Sequence, residues 1–510
     1  MPTPRALLPL LILLAPLSSL PATAATKETE PPAAPRGPIA QAAENAVVKV
    51  FATLRRPDVT RPWAKSAATE VSGSGVVIEG KRILTNAHVV TYASQIQVEG
   101  SQSGDKVPAT LEAIAPGIDL AVLKLEDESF FSNRSPLPRA SKLPQIKDAV
   151  FAYGFPTGGT TLSITRGIVS RIEFVGYSYL NSGLRIQIDA AVNPGNSGGP
   201  AIADDKMIGM VFSHLKNSEN ISYIIPNEEI ELFLKDIASG PYKGKPGIWD
   251  SLQTLDNPAL RGYLKLDKSV KGMIVHRPDD DSAGYPLKQW DVITHIAGQP
   301  IDDQGMVSIG SNLRVAFSYL VQQKAHDGMV PLTVVRSGRS QQIQLPVPLH
   351  RPTLIGALDG AYPSYFILGP VVFERATLDA IQLTARARGG VSLIGSPLVT
   401  RFGDRPDTEH EDLVIIPSPL FSHALSVGYD DPTGSVLKSV NGTPVKSLAH
   451  LVALLRDLKD DYLVLDFDNR SSESMVFPRA QMVAATDAIL SDNSVREQGS
   501  PDMMKVWNGK

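Results

Sequence analysis

The sequence contains no cysteine in 510 residues. That absence excludes disulfide frameworks, thiolate nucleophiles, Cys-type zinc sites and lipid anchors built on a thiol. It does not fix the compartment, because large exported domains can do without disulfides. A basic excess is also missing. Lys and Arg number 49 against 53 Asp and Glu, a formal net charge of -4, so nothing points to nucleic acid. Past the N-terminus no stretch is long and apolar enough to span a bilayer, and no Gly-rich phosphate loop is present. His276, His295, His326 and His350 lack metal-ligand spacing. Asp279-Asp280-Asp281 lacks the further oxygen ligands that calcium demands. No metal or cofactor is expected.

What is present describes a globular chain, with 43% hydrophobic and 20% charged residues. Single cores stop growing near ~250–300 residues, so several domains are expected. Arg5 precedes an apolar run from Ala6 to Leu20, followed by Ala22-Thr23-Ala24. That order predicts a secretory signal over residues 1–24, cleaved after Ala24. The alternative, a short anchor, needs ~20 apolar residues, more than this Pro-interrupted run supplies. Residues 25–40, rich in Pro, Ala and charge, read as a flexible leader. The mature protein is expected outside the cytoplasm, in the periplasm where the cell has an outer membrane.

Short β-type runs then follow, broken by Gly, Pro and Asn: Val47–Thr53, Gly75–Ile78, Arg82–Thr85, Leu120–Leu125, Val150–Tyr153, Leu184–Ile188, Met207–Phe212 and Ile221–Ile225. Many short strands between turn signals predict a barrel or sandwich pair over residues 41–240. Glu228–Ile237 has helical spacing, and Ser239–Gly247 reads as a Gly/Pro linker. Two small units are expected at 247–350 and 351–484, with a polar, poorly ordered tail at 485–510 that has room for a short helix. Within them "ITHIAGQPI" and "LKSVNGTPV" look like one strand–turn–strand element repeated, and Leu448–Leu455 reads as a helix.

Three motifs carry the chemistry. In Ala191-Val-Asn-Pro-Gly-Asn-Ser-Gly-Gly-Pro200, the glycines around Ser197 leave its backbone free of Cβ crowding. A nucleophilic hydroxyl needs such a turn, with the N–H groups of Gly195 and Ser197 as the natural oxyanion-hole pair. Thr85-Asn-Ala-His88 puts an imidazole at the end of an apolar strand, where a base can accept the serine proton. Gly117-Ile-Asp119 puts one carboxylate at a strand boundary, able to orient that imidazole. Each motif alone has an ordinary turn or surface reading. The order His88, Asp119, Ser197 within one domain-sized stretch changes that.

This is the chain order of chymotrypsin-like proteases. "SGSGVVI", "RILTNAHVV", "GIDLAVLKL" and "NPGNSGGPAI", followed by PDZ-like units, resemble the Deg/HtrA serine endopeptidases. "AYPSYFILGPVVFE" and the closing "LKSVNGTPVKSLAHLVALL" look like the plant-type branch with a divergent second PDZ domain. The resemblance implies a mainly β fold: a chymotrypsin-like double β-barrel followed by two PDZ-like domains. It also implies homo-oligomers assembled through the protease domains, and ATP-independent degradation of unfolded or damaged proteins. A preference for small aliphatic residues before the cut is implied as well.

Three features depart from the general pattern. Asn196 stands where digestive serine proteases carry an Asp that pairs with a new N-terminus, so activation by N-terminal processing is not expected. Leu260-Arg-Gly-Tyr-Leu264, at the expected peptide-carboxylate loop of the first PDZ-like unit, lacks the Gly-φ-Gly-φ pattern. His214 falls on an expected substrate-pairing segment, beside a specificity pocket assigned to Phe212, Ser213 and Ile225; a solvent-facing loop histidine is its favoured reading and a site role the alternative. Two other functions remain open on the sequence alone. One is a non-proteolytic holdase or scaffold; the other is a regulatory protease cutting one specific partner.

Overall fold

The computed structural model describes residues 38–101, 103–178, 180–212, 222–310, 313–388, 395–468 and 472–509. The expected secretory signal and nearly all of the leader lie outside these residues, as do Ser213 and His214. Helix α1 (Pro38–Ala46) leads into strands β1 (Val47–Leu54), β2 (Thr69–Ile78), β3 (Arg82–Thr85), β4 (Ala93–Gly100), β5 (Lys106–Ala115) and β6 (Leu120–Leu125). A short helix α2 (Ala87–Val90) follows β3. These strands close a barrel in the order β1-β2-β3-β6-β5-β4. A second barrel closes from β7 (Ala149–Gly154), β8 (Ser163–Ser178), β9 (Asn181–Ile188), β10 (Pro200–Ala203), β11 (Lys206–Phe212) and β12 (Ser222–Pro226), in the order β10-β11-β12-β9-β8-β7. Closure pairs every edge strand, so neither barrel exposes an unpaired backbone ladder.

The expected apolar runs fall on these strands. β8 had no counterpart in the sequence reading, because Arg166, Arg171 and Glu173 interrupt its apolar residues. It bends at irregularities between Val169/Arg171 and Gly176/Ser178, so one strand serves both the barrel and the hairpin to β9. Helix α3 (Asn227–Ile237) buries Ile230 and Phe233 in the core shared by the barrels. The expected linker after it is pinned: Lys245 Nζ bonds Glu229 Oε2 at 2.7 Å and the carbonyl of Ser182 at 2.6 Å.

The next unit contains β13 (Ser251–Thr254), α4 (Pro258–Tyr263), β14 (Met273–Arg277), β15 (Val292–Ile296), β16 (Gln299–Pro300), β17 (Met306–Ile309), β18 (Leu313–Ala316), α5 (Ser318–Lys324), β19 (Met329–Arg336) and β20 (Arg339–Pro346). The segment Leu260–Leu264 is largely helix α4, whose N–H groups are used internally; that of Arg261 bonds the Asn257 carbonyl and that of Leu264 the Leu260 carbonyl. Those two donors are therefore not free to hold a peptide carboxylate. Helix α5 docks on the second barrel and the helix that follows it: Gln322 Nε2 donates to the Ser182 carbonyl of β9 at 3.1 Å and the Tyr319 hydroxyl to Glu228 Oε2 of α3 at 2.7 Å.

The last unit contains β21 (Tyr365–Leu368), β22 (Val371–Arg375), α6 (Leu378–Arg388), α7 (Pro397–Thr400), β23 (Val414–Ile415), β24 (Leu437–Val440), β25 (Thr443–Pro444), α8 (Leu448–Asp457), β26 (Tyr462–Phe467) and β27 (Met475–Pro478). The suspected repeat is real in backbone terms. β15 turns to β16 through Ala297 (φ 47°) and Gly298 (φ 81°), and β24 to β25 through Asn441 (φ 47°) and Gly442 (φ 78°). Two successive positive φ angles are the turn that matches strand twist.

The segment 485–510, expected as a polar and poorly ordered tail with room for a short helix, is helical and packed in the structure. Helix α9 (Arg479–Asp492) buries Met482, Ile489 and Leu490, and α10 (Pro501–Trp507) buries Met503. Between them the chain lies along β21: the Ile367 N–H donates to the Gln498 carbonyl at 2.8 Å and the Ser500 N–H to the Tyr365 carbonyl at 3.0 Å. Backbone pairing of this kind leaves no hydropathy signal, which is why the segment reads as solvent-facing.

Candidate active site

His88 sits on α2, directly after β3, rather than on a bare strand end. Its neighbour Asn86 is fully buried and donates Nδ2 to the Asp119 carbonyl at 2.9 Å. Asp119 ends a single turn over Pro116–Ile118 in a left-handed conformation (φ 61°). That turn aims its carboxylate at the imidazole. His88 Nδ1 lies 2.8 Å from Asp119 Oδ2 and 3.0 Å from Oδ1, and the His88 N–H donates to Oδ1 at 2.8 Å. The carboxylate thus grips both the ring and its backbone, which fixes the tautomer and leaves Nε2 as the free face. Removal from water is the largest single influence on the imidazole pKa and pushes it down. The hydrogen bond and charge of Asp119 outweigh that, with Arg56 opposing, so the net value lies above the ordinary histidine range.

Ser197 lies on the turn between β9 and β10, on the wall of the same cleft. This cleft, of about 600 Å³, lies between the barrels and is lined by His88, Ser197, Gly195, Asn193, Phe51 and Arg56 among others. Gly195 (φ 100°) and Gly198 (φ 92°) hold backbone shapes that a side chain would strain. A Cβ on Gly198 would also run into the Ser74 carbonyl, and one on Gly195 into that of Phe155. The Thr157 N–H takes the Pro194 carbonyl at 2.8 Å. Because a trans peptide points its C=O and N–H in opposite directions, this turns the Gly195 N–H away from Thr157. Among the described residues no main-chain carbonyl accepts the N–H of Gly195 or of Ser197. No hydrogen bond joins His88 Nε2 to Ser197 Oγ among the described residues, and such contacts are commonly loose before substrate arrives.

Asn196 is fully buried, and its side-chain amide has no partner among the described residues. Phe212 is half-buried and Ile225 fully buried in the core between the barrels. Neither lines the cleft around Ser197. Sequence reasoning missed Ser74. It is fully buried on β2, donates Oγ to the Gly195 carbonyl at 2.8 Å and accepts the Phe155 N–H at 2.8 Å. Its "SGSG" setting marks a tight strand but carries no signal for a partner so far along the chain. Arg185 was also missed. It is fully buried against Tyr177 and Phe212, and its Nε and Nη2 have no partner among the described residues. Among the described residues no group of His, Asp and Glu is arranged to hold a metal ion.

The family described as trypsin-like peptidase domain matches residues 73–210, and the PDZ domain family matches residues 357–502. The second match runs past residue 484 through α9, in line with the docked C-terminal segment. Protease Do-like 2, chloroplastic, of Arabidopsis thaliana is 34% identical over 471 residues, covering 91% of this chain and 76% of that protein. Protease Do-like 4, mitochondrial, of the same plant is 34% identical over 451 residues, covering 88% of this chain and 83% of that protein. Among solved structures, the HtrA-type protease AlgW with decapeptide is 25% identical, covers 62% of this chain and 98% of its own, and has a TM-score of 0.46. With two closed barrels, a PDZ domain and relatives matched over nearly its whole length, the chain belongs to the Deg/HtrA family of Do-like serine endopeptidases.

Proposed function

We propose that this endopeptidase works by an acyl-enzyme mechanism in which Ser197 is the nucleophile, His88 the general base and then acid, and Asp119 the orienter. The observation that carries the reading is the two-point grip of Asp119 on His88 Nδ1 at 2.8 and 3.0 Å, in the cleft that also holds Ser197. Nε2 takes the hydroxyl proton as Oγ attacks the scissile carbonyl. The N–H groups of Gly195 and Ser197 receive the oxyanion, and the imidazolium returns its proton to the leaving amine. Water repeats the cycle to release the acid.

The wider role is ATP-independent degradation of unfolded or damaged proteins outside the cytoplasm, by a homo-oligomer joined through its protease domains. The Ala22-Thr23-Ala24 segment supports export, and the chloroplastic and mitochondrial relatives are organellar proteins by name. Among the described residues no helix is long and apolar enough to cross a membrane. The test is cleavage of casein by the mature protein beside Ser197→Ala, with fluorophosphonate labelling of both. Loss of the nucleophile should cost about 10⁶ in rate; turnover by the variant near the wild-type rate would sink the assignment.

A further inference from the structure

Among the described residues Lys49 and Arg56 are the lysine and arginine that line the cleft, and they differ in kind. Lys49 is committed: its Nζ donates to the Gly159 carbonyl at 2.7 Å and lies 4.9 Å from the Phe51 ring centroid. Arg56 is exposed on the cleft wall, and its guanidinium makes no hydrogen bond or ion pair among the described residues. Glu70 shares the wall without pairing with it. The charge of Arg56 nevertheless reaches His88, whose protonated form it disfavours.

The backbone that carries Arg56 is held from both sides. The Arg55 N–H donates to the Tyr92 carbonyl at 2.9 Å, and the Ser66 N–H donates to the carbonyl of Arg56 at 2.8 Å. From the C-terminal PDZ unit, the Tyr362 hydroxyl donates to the Arg55 carbonyl at 2.8 Å. Trp63 of the same loop packs on Tyr365 and Phe421, with ring centroids 6.3 and 5.5 Å away. An anchored backbone loses less freedom when its side chain binds something, so an otherwise solvated cation becomes a usable contact.

We infer that Arg56 is a specificity-determining residue that binds an acidic side chain of the substrate on the leaving-group half of the scissile bond. The side follows from the walls. Asn193 and Gly195, from the segment between β9 and β10, line the cleft together with Arg56 of the β1–β2 segment and His88, and the charge of Arg56 reaches His88, which in the proposed mechanism hands its proton to the departing amine. This rests on the proposed role of the cleft as the substrate site.

The test uses the full mature chain and fluorogenic peptides identical except for Asp, Ala or Lys at each of the first three positions after the cut. Within one enzyme the Asp-to-Lys ratio of kcat/KM cancels any effect of Arg56 on His88 itself. At one of the positions the wild type should favour Asp by about three-fold, the scale of an exposed ion pair. Arg56→Glu should invert that ratio, Arg56→Lys should keep its direction, and 1 M salt should flatten it. A ratio near one at all three positions in an active enzyme, or one unchanged in Arg56→Glu, would overturn the inference while leaving the protease assignment intact. No turnover of any peptide, with no fluorophosphonate labelling of Ser197, would overturn both.

Discussion

The hydroxyl of Ser74 on the first barrel donates to the carbonyl of Gly195 on the second, at 2.8 Å, while accepting the Phe155 N–H at the same distance. Ser74 is itself held, its carbonyl by Thr85 Oγ1 at 2.7 Å and its N–H by the Ser197 carbonyl at 2.8 Å. One buried side chain therefore sets the shape of the turn before Ser197, the proposed nucleophile. Ser74→Ala should orphan the Gly195 carbonyl and the Phe155 N–H, a loss on the order of 1–3 kcal/mol. The expected result is a drop in kcat/KM of about ten- to a hundred-fold with a folded protein, checked by peptide kinetics and circular dichroism.

Activity should follow the protonation of His88. Its pKa is raised on balance by Asp119, so under the proposed role as base it should be charged and idle below that raised value, with rate gained as pH rises through it. Asp119→Asn should lower turnover by about 10⁴-fold and move the acid limb of the kcat/KM profile to lower pH. Arg56→Ala should move the limb the other way, because Arg56 opposes protonation. The measurement is kcat/KM against pH for the three proteins.

Lys245 and Glu229 form a buried ion pair at 2.7 Å, with side chains 8% and 4% exposed. Glu229 also accepts the Leu184 N–H through Oε1. Removing Lys245 alone strands a buried carboxylate, so Lys245→Ala should destabilise the protease domain by about 3–5 kcal/mol. Lys245→Met with Glu229→Gln should recover much of that loss in thermal denaturation.

Truncation after Asp492 should unsettle the C-terminal PDZ unit. It removes the strand pairing on β21, the buried Val495 and Met503, and Trp507, whose ring centroid lies 5.0 Å from that of Phe366. Limited proteolysis should show rapid cuts between residues 360 and 480, and the melting temperature should fall. Resistance equal to that of the full chain would contradict a structural role for the segment.

Glu374 is fully buried on β22, and neither carboxyl oxygen has a partner among the described residues. Burial first, then the charges of Asp379 and Asp58, hold its pKa well above the ordinary 4.5. In the unfolded chain the group ionises near that ordinary value, so its contribution is fully present below it and is lost as pH climbs toward the raised value. Glu374→Gln should therefore be more stable than wild type at neutral pH, with the advantage vanishing near pH 4. Urea titrations at several pH values measure this directly.

Much of the protein was legible in its residues alone. Arg82–Thr85 and Leu120–Leu125 are strands as read, because apolar runs between turn residues are a local signal. The turns through Asn441-Gly442 and through Gly298 were legible for the same reason: Gly and Asn accept the positive φ such turns need, whereas Ala297 gives no such signal. His88, Asp119 and Ser197 stood out because their flanking turns are local too. Ser74 did not, since its partner Gly195 lies 121 residues away. The docked segment around Gln498, the hold of Tyr362 on Arg55 and the place of Arg56 on the cleft wall were equally silent. Each depends on which backbone groups meet after the chain has closed its barrels. Sequence alone determined which residues could do chemistry, and only tertiary packing decided which others hold them in place.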